Sequence, residues 1–213
     1  MRHRVVACVL AVFALLPALA SARVTSYRID PVHTQVLFSV DHDGYSQPVG
    51  RMQVKAGWLQ FDEDDWSLAR VVVDVDTTSV DIGDKAWNDA VTGKRFLDAQ
   101  AFPLAHFEST SVEKTDAQHG TLHGQLTLHG ITREVSIPFT FHRVGATIFS
   151  GMQTLAGFSA QTTIDRTQFG MTSFPKAVGI QVQLRLEVEA ILDQDAQKAY
   201  ESQRNPDHAA AQH

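Results

Sequence analysis

Residues 124–141, "GQLTLHGITREVSIPFTF", carry two apolar sets that never mix with their polar neighbours. Leu126 and Leu128 alternate with Gln125, Thr127 and His129. Beyond "HGIT", Val135, Ile137, Phe139 and Phe141 alternate with Glu134, Ser136, Pro138 and Thr140. A period of two sends successive side chains to opposite faces, so each run predicts a strand with one wet and one dry face. The same alternation recurs at 34–41 (Thr34, Val36, Phe38, Val40), 49–61, 68–77 (Val71, Val73, Val75), 103–113, 120–129, 133–143, 157–165 (Phe158, Ala160, Thr162, Ile164) and 179–191. In the last, Ile180, Val182, Leu184, Leu186, Val188 and Ala190 oppose Gln181, Gln183, Arg185, Glu187 and Glu189. Roughly eight antiparallel strands with one apolar face each predict an all-β fold, either a closed barrel or a sandwich.

Three segments depart from this rhythm. In 49–61, Met52 and Val54 share one parity and Leu59 and Phe61 the other, so a bulge is expected near Gly57. Pro138 removes a ladder donor and should sit at an edge or bulge. Residues 81–103, "DIGDKAWNDAVTGKRFLDAQAFP", read as a short helix with Trp87, Ala90 and Val91 on one side, stopped near Gly93, then a second turn around Phe96 and Leu97. Such an insertion between barrel strands is expected across one mouth.

The ends belong to other categories. Residues 1–22 place Arg2 and Arg4 before an apolar run from Val5 to Leu16, then Pro17 and small residues, the order of a secretory signal cleaved after Ala20 or Ala22. The run is too short to span a bilayer, so no stable membrane anchor is expected and the mature protein should be soluble and periplasmic. One barrel domain is expected over 23–192 and a polar, fraying tail over 193–213. Cys8 is the one cysteine and lies inside the signal, too early for a lipoprotein box, leaving no disulfide in the mature chain. Losing Arg2 and Arg4 lowers Lys plus Arg from 18 to 16 against 24 acids, moving the formal net charge from -6 to -8. That balance argues against nucleic acid and anionic headgroup surfaces as partners.

Candidate chemistry is sparse. His123 and His129 stand six residues apart on one wet face, about 20 Å at strand rise, too far to share an ion. "DHDG" at 41–44 and "DHAAAQH" at the end offer weak metal ligands, so no metal and no cofactor is expected. "DVDTTSVDIGDK" at 74–85 imitates a calcium loop only at its first two acids and reads as a strand end with a solvated acidic loop. Asp30 and His33 in "IDPVHT" suit either a base with its orienting carboxylate or a turn whose carboxylate caps local donors. With no nucleophile nearby in sequence, the turn is the favoured reading and catalytic residues are expected to be none.

The dry faces are the informative feature. A sandwich would interdigitate them and leave no space, whereas an eight-stranded barrel is wide enough inside for one ligand. Strands of ten to thirteen residues span roughly 33–44 Å, and small dry-side residues (Gly124, Ala160, Thr162, Ala190) would leave part of such a lumen unfilled. Periodicity does not separate the two architectures.

The stretches "YRIDPVHTQVLFSVDH", "LDAQAFPLAHFEST", "GQLTLHGITREVSIPFTF" and "FSAQTTIDRTQFGM", in this order and spacing, closely resemble the YceI-like family over about 27–192. The resemblance implies an eight-stranded antiparallel lipocalin-like barrel with a short helical insertion near one mouth, a long apolar tunnel, and a homodimer. It implies a bound polyisoprenoid, isoprenoid quinone or fatty-chain amphiphile, in transport, storage or stress response. By position the lining would include Phe38, Val40, Met52, Phe61, Phe107, Leu126, Leu128, Ile137, Phe139, Phe141 and Phe158. Trp87, Phe96, Leu97 and Phe102 would border the mouth, and Arg166 and Phe169 match the family's Arg and Phe-Gly pattern as further lipid-site residues, with Arg166 either meeting a polar headgroup or only bracing the strand end. Lys55, Met52 and "WNDAVTGKRFL" depart from that pattern. Two rivals remain at this stage: a hydrolase-like enzyme on an amphiphile using His33 and Asp30, and a packed barrel that binds protein through strand faces or Trp66.

Overall fold

The computed structural model describes residues 24–204. The predicted signal and the "DHAAAQH" end lie outside the described residues. The strands are β1 (Thr25–Ile29), β2 (Gln35–His42), β3 (Val49–Phe61), β4 (Arg70–Asp81), β5 (Leu104–Lys114), β6 (His119–Leu128), β7 (Ile131–Ala146), β8 (Thr154–Asp165) and β9 (Val178–Leu192). Helix α1 (Lys85–Thr92) falls between β4 and β5, and α2 (Ala196–Arg204) follows β9. All strand pairs are antiparallel, and pairing of β3 with β4 and of β1 and β2 with both β3 and β9 closes the sheet on itself.

Nine strands make eight staves, because β1 and β2 share one place in the wall. Tyr27 to Ile29 face Leu192 to Ala190, and Gln35 to Val40 continue down the same neighbour against Glu187 to Val182. Between them the chain leaves the sheet for one turn. Pro31 has no amide to give the ladder, and the Asp30 carboxylate accepts from the Val32 amide at 2.9 Å. Thr34 restores the wall by donating its hydroxyl to the Glu189 carbonyl at 3.1 Å. Sequence periodicity shows no separate β1, since five residues offer only Tyr27 and Ile29 as a dry pair.

The phase slip in β3 is present, centred on Lys55 rather than Gly57: Val54 faces Val75 and Ala56 faces Asp74. The bulged residue is left out of the ladder, and the exposed lysine tolerates that. Gly57 has a different task, for a Cβ there would lie 2.8 Å from Ile29 Cδ1 and 2.9 Å from the Val72 carbonyl oxygen. Pro138 sits just before the first β7–β8 rung at Phe139 and Ala160, in keeping with an edge position.

Connections sort the barrel into two ends. The β2–β3 turn, α1, the 93–103 segment and the loop from Arg166 to Ala177 gather at the mouth. The opposite end is closed by a buried aromatic cluster of Phe61, Phe141 and Trp66, with Phe139 and Phe158 half-buried against it. α1 begins where the Asp84 carboxylate accepts from the Trp87 amide at 3.1 Å, and it ends at Gly93, as the sequence predicts.

The tail does not fray where the sequence reading placed it. Residues 196–204 form α2, which packs Ala196 and Tyr200 against Trp58 and Val72 on the outer wall. Its anchor is Asp74, which the sequence pattern places on the wet face of its strand end. Asp74 is buried, takes the Tyr200 hydroxyl at 2.8 Å and meets His106 Nδ1 at 2.7 Å. Burial pushes the Asp74 carboxyl up, but the bonds from His106 and Tyr200 outweigh it and hold the carboxyl below its ordinary value. Burial, then the bond to Asp74, raises the Tyr200 phenol. A depressed acid stabilises above its unfolded pKa of about 4 and a raised phenol below about 10. Docking of α2 is therefore expected to weaken below the first and above the second. Tyr200→Phe should cost about 1.5–3 kcal/mol at neutral pH, since it removes a donor from a buried charge; urea unfolding measures it, and no change would dismiss Asp74 as the anchor.

Candidate functional site: an apolar tunnel

The dry faces enclose a cavity of about 440 Å³, within the range of about 300–1,000 Å³ that holds small-molecule ligands. It runs from the α1 mouth toward the aromatic end. Among its lining residues only Thr34, His42, Gln60, Trp87 and Arg166 carry nitrogen or oxygen in their side chains. Phe38, Val40, Met52, Phe61, Phe107, Leu126, Leu128, Ile137, Phe139 and Phe158 line it as expected, and Trp87, Phe96, Leu97 and Arg166 line its mouth.

Three expected lining residues lie elsewhere. Phe141 is buried at the closed end, its ring 4.9 Å from Phe61 and 5.5 Å from Phe158. Phe102 turns onto the β6–β7 hairpin, 5.0 Å from the His129 ring and over Gly130. Phe169 is buried in the mouth-end core with Leu97, Ile164 and Met171, and its carbonyl lies 2.9 Å from His129 Nδ1.

The sequence list also omitted much of the wall. Val71, Val73 and Val75 on β4 and Val182, Leu184, Leu186 and Val188 on β9 line the tunnel. Their alternation was visible, and only the weight given to aromatic residues hid them. Of the small dry-side residues, Ala160 alone opens space. A Cβ on Gly124 would lie 2.5 Å from the Phe107 ring, so that ring occupies the place. Ala190 is fully buried, and Thr162 donates to the Ser136 carbonyl at 3.1 Å.

At the mouth, the His42 and Trp87 rings stand 5.2 Å apart, joining the β2–β3 turn to α1. Arg166 begins a short 3₁₀ turn, Arg166–Phe169, and is 2% exposed. Its Nε donates to the Gly179 carbonyl at 2.8 Å and its Nη2 to Ser173 and Val178 at 2.9 and 2.7 Å, while Nη1 donates to Met171. The Phe96 ring lies 5.6 Å from the guanidinium. Burial pulls the group below its ordinary pKa, yet an arginine keeps its charge.

At the other end, Trp66 is 2% exposed and stacks on Phe139 at 5.4 Å. It is a plug and offers no surface for a protein partner. Asp30 and His33 stand off the tunnel on the turn that interrupts the wall. His33 Nδ1 is 2.7 Å from Asp30 Oδ2, and the ring is 62% exposed. Burial raises the Asp30 carboxyl, but the bonds from His33 and the Val32 amide prevail and lower it, and the bond from Val32 caps the turn. Among the described residues no group of three or more His, Cys, Asp or Glu is arranged to hold a metal ion.

Comparison with known proteins places this architecture. The UPF0312 protein of Shewanella sp. (strain W3-18-1) is 32% identical over 90% of this chain and 99% of its own length. That of Vibrio vulnificus (strain YJ016) is 31% identical over 88% and 98%. Among solved structures, Burkholderia cenocepacia BcnA superposes with a TM-score of 0.67 at 23% identity, covering 76% of this chain and 99% of that one. A polyisoprenoid binding domain from Saccharophagus degradans, implicated in plant cell wall breakdown, gives 0.57 at 12% identity, covering 79% and 99%. Residues 27–190 match the YceI-like domain profile, and the chain belongs to the YceI-like family.

Proposed function

We propose that this protein is a periplasmic binding protein that holds a polyisoprenoid, isoprenoid quinone or similar long-chain amphiphile in its barrel, without catalysing a reaction on it. The carrying observation is the apolar cavity of about 440 Å³ inside the barrel. The Saccharophagus degradans domain, titled for polyisoprenoid binding, supports this ligand class.

The binding energy comes from burial. At about 0.8 kcal/mol per methylene, ten buried carbons contribute on the order of 8 kcal/mol. Ordering a flexible chain offsets a good part of that. Affinity therefore resides in the tail, and selectivity in the few polar groups at the mouth.

Native mass spectrometry of protein purified gently from its own periplasm tests the proposal. A discrete added mass that extracts into organic solvent as a prenylated or long-chain molecule is the expected result. An apo mass that also refuses added polyprenols, quinones and fatty acids would overturn it.

A further inference from the structure

The mouth holds a buried positive charge without a buried negative partner. Arg166 lines the tunnel, and no carboxylate lies within 4.0 Å of its guanidinium among the described ion pairs. Its neighbour Asp165 turns to Thr167, accepting from that amide at 2.8 Å and that hydroxyl at 2.6 Å. A guanidinium has five N–H donors. Nε, Nη1 and Nη2 direct four of them to backbone carbonyls, leaving one on Nη1. Carbonyl dipoles satisfy donors without cancelling the charge, which Asp165 offsets only through space without forming an ion pair, and a buried charge offset in part is costly.

Exposed charges of both signs ring the mouth, with Asp43, Asp84 and Asp89 on the β2–β3 turn and at α1. Phe96, which covers Arg166, stacks 6.3 Å from Phe174, and Arg95 lies 5.2 Å over that second ring. Lys94, Arg95 and Lys176 are exposed on the two segments enclosing Arg166, and none forms an ion pair among the described residues. By contrast, Arg51 and Lys85 near the same end are paired with Asp81 and Asp89.

Resting on the proposal of a lipid in the tunnel, we infer that the ligand's head is anionic, a phosphate or carboxylate. Arg166 meets that head from inside, and Lys94, Arg95 and Lys176 stand outward of it on the enclosing segments. The apolar wall fixes the tail, so a free anion should not suffice.

Isothermal titration of the mature protein with farnesyl phosphate, farnesol, farnesylamine and inorganic phosphate tests this. One charge-assisted hydrogen bond in a buried site corresponds to about tenfold to 100-fold in affinity. Farnesyl phosphate should bind tighter than farnesol by that factor, farnesylamine weakest, and inorganic phosphate neither bind nor displace the lipid. In Arg166→Gln the phosphate should fall to the level of the alcohol, while Arg166→Lys should retain part of the preference. Equal affinity for phosphate and alcohol in the native protein, or an undiminished preference in Arg166→Gln, would overturn the inference while leaving the tunnel reading intact. Displacement of bound lipid by inorganic phosphate would overturn it in favour of a free-anion site. Failure of every farnesyl compound to bind would remove the tunnel reading along with it. Should Arg166→Gln lose its near-UV circular dichroism, the head-group order in the native protein decides alone.

Discussion

Leu126→Trp is expected to abolish lipid retention while leaving the barrel folded. Leu126 faces Phe107 across the β5–β6 ladder and reaches the tunnel lumen beside Leu128. An indole there projects into open volume, so the overpacking penalty should stay near the low end of about 1–3 kcal/mol. The ligand bears the larger loss. If the indole excludes four methylenes, about 3 kcal/mol of transfer free energy disappears, roughly a hundredfold in Kd. The control is Gln125→Trp, one residue away on the exposed face, which adds the same ring without entering the lumen. Polyprenol binding by native mass spectrometry, with far- and near-UV circular dichroism, reads both. Full affinity in a folded Leu126→Trp protein would show that the ligand does not occupy this stretch.

That contrast between adjacent residues is why the wall was legible in sequence. Wherever a strand keeps one dry parity for five or more residues, as on β6, β7 and β9, the alternation states which side chains face inward. Closure came less easily, because the strand that completes the ring is split. Tyr27 and Ile29 are separated from Val36 and Phe38 by the Asp30 turn, and only the second half is long enough to carry a period.

What the pattern misassigned shares one physical cause. Parity separates inside from outside only while the outside is water. Trp58 and Asp74 have the wet parity of their strands, yet both are buried because α2 lies over them. The polar look of 193–204 concealed that helix, since only Ala196 and Tyr200 are buried on it. The misplaced aromatics follow a related rule. Phe102 and Phe169 lie off the strands, on connecting segments whose backbone direction the period does not set. Phe141 has the right parity but stands beyond the lumen's end, a matter of height along the strand that periodicity cannot report.

Trp66→Ala is expected to be the most damaging single truncation in the closed end. The short 3₁₀ turn Trp66–Leu68 is held by Asp65, whose carboxylate accepts from the Ser67 amide at 3.0 Å and hydroxyl at 2.6 Å. This turn lays the indole across the barrel floor. It stacks on Phe139, meets Phe61 at 5.5 Å and Phe141 edge-on at 6.0 Å, and carries the Lys114 ammonium at 4.6 Å on its face. Its Nε1 donates to the Glu63 carbonyl at 3.1 Å. Gly120 is the matching concession on the wall, since a Cβ there would approach the indole to 3.0 Å. Burial of this kind is worth about 3–5 kcal/mol on truncation, and with a urea slope near 2 kcal/mol/M the midpoint should fall by about 2 M. A second effect follows from the first. With the indole removed, the closed end is left to Phe61, Phe139, Phe141 and Phe158, three of which lose a ring contact with Trp66. Lipid should then dissociate faster even where the variant remains folded, as measured by transfer to vesicles below the unfolding midpoint. A midpoint shift under 0.5 M, about 1 kcal/mol at that slope, with an unchanged transfer rate would mean that the floor is held by the phenylalanines alone. On the proposed reading, packed aromatics at one end and Arg166 at the other give the tunnel a direction, tail inward and head toward Arg166.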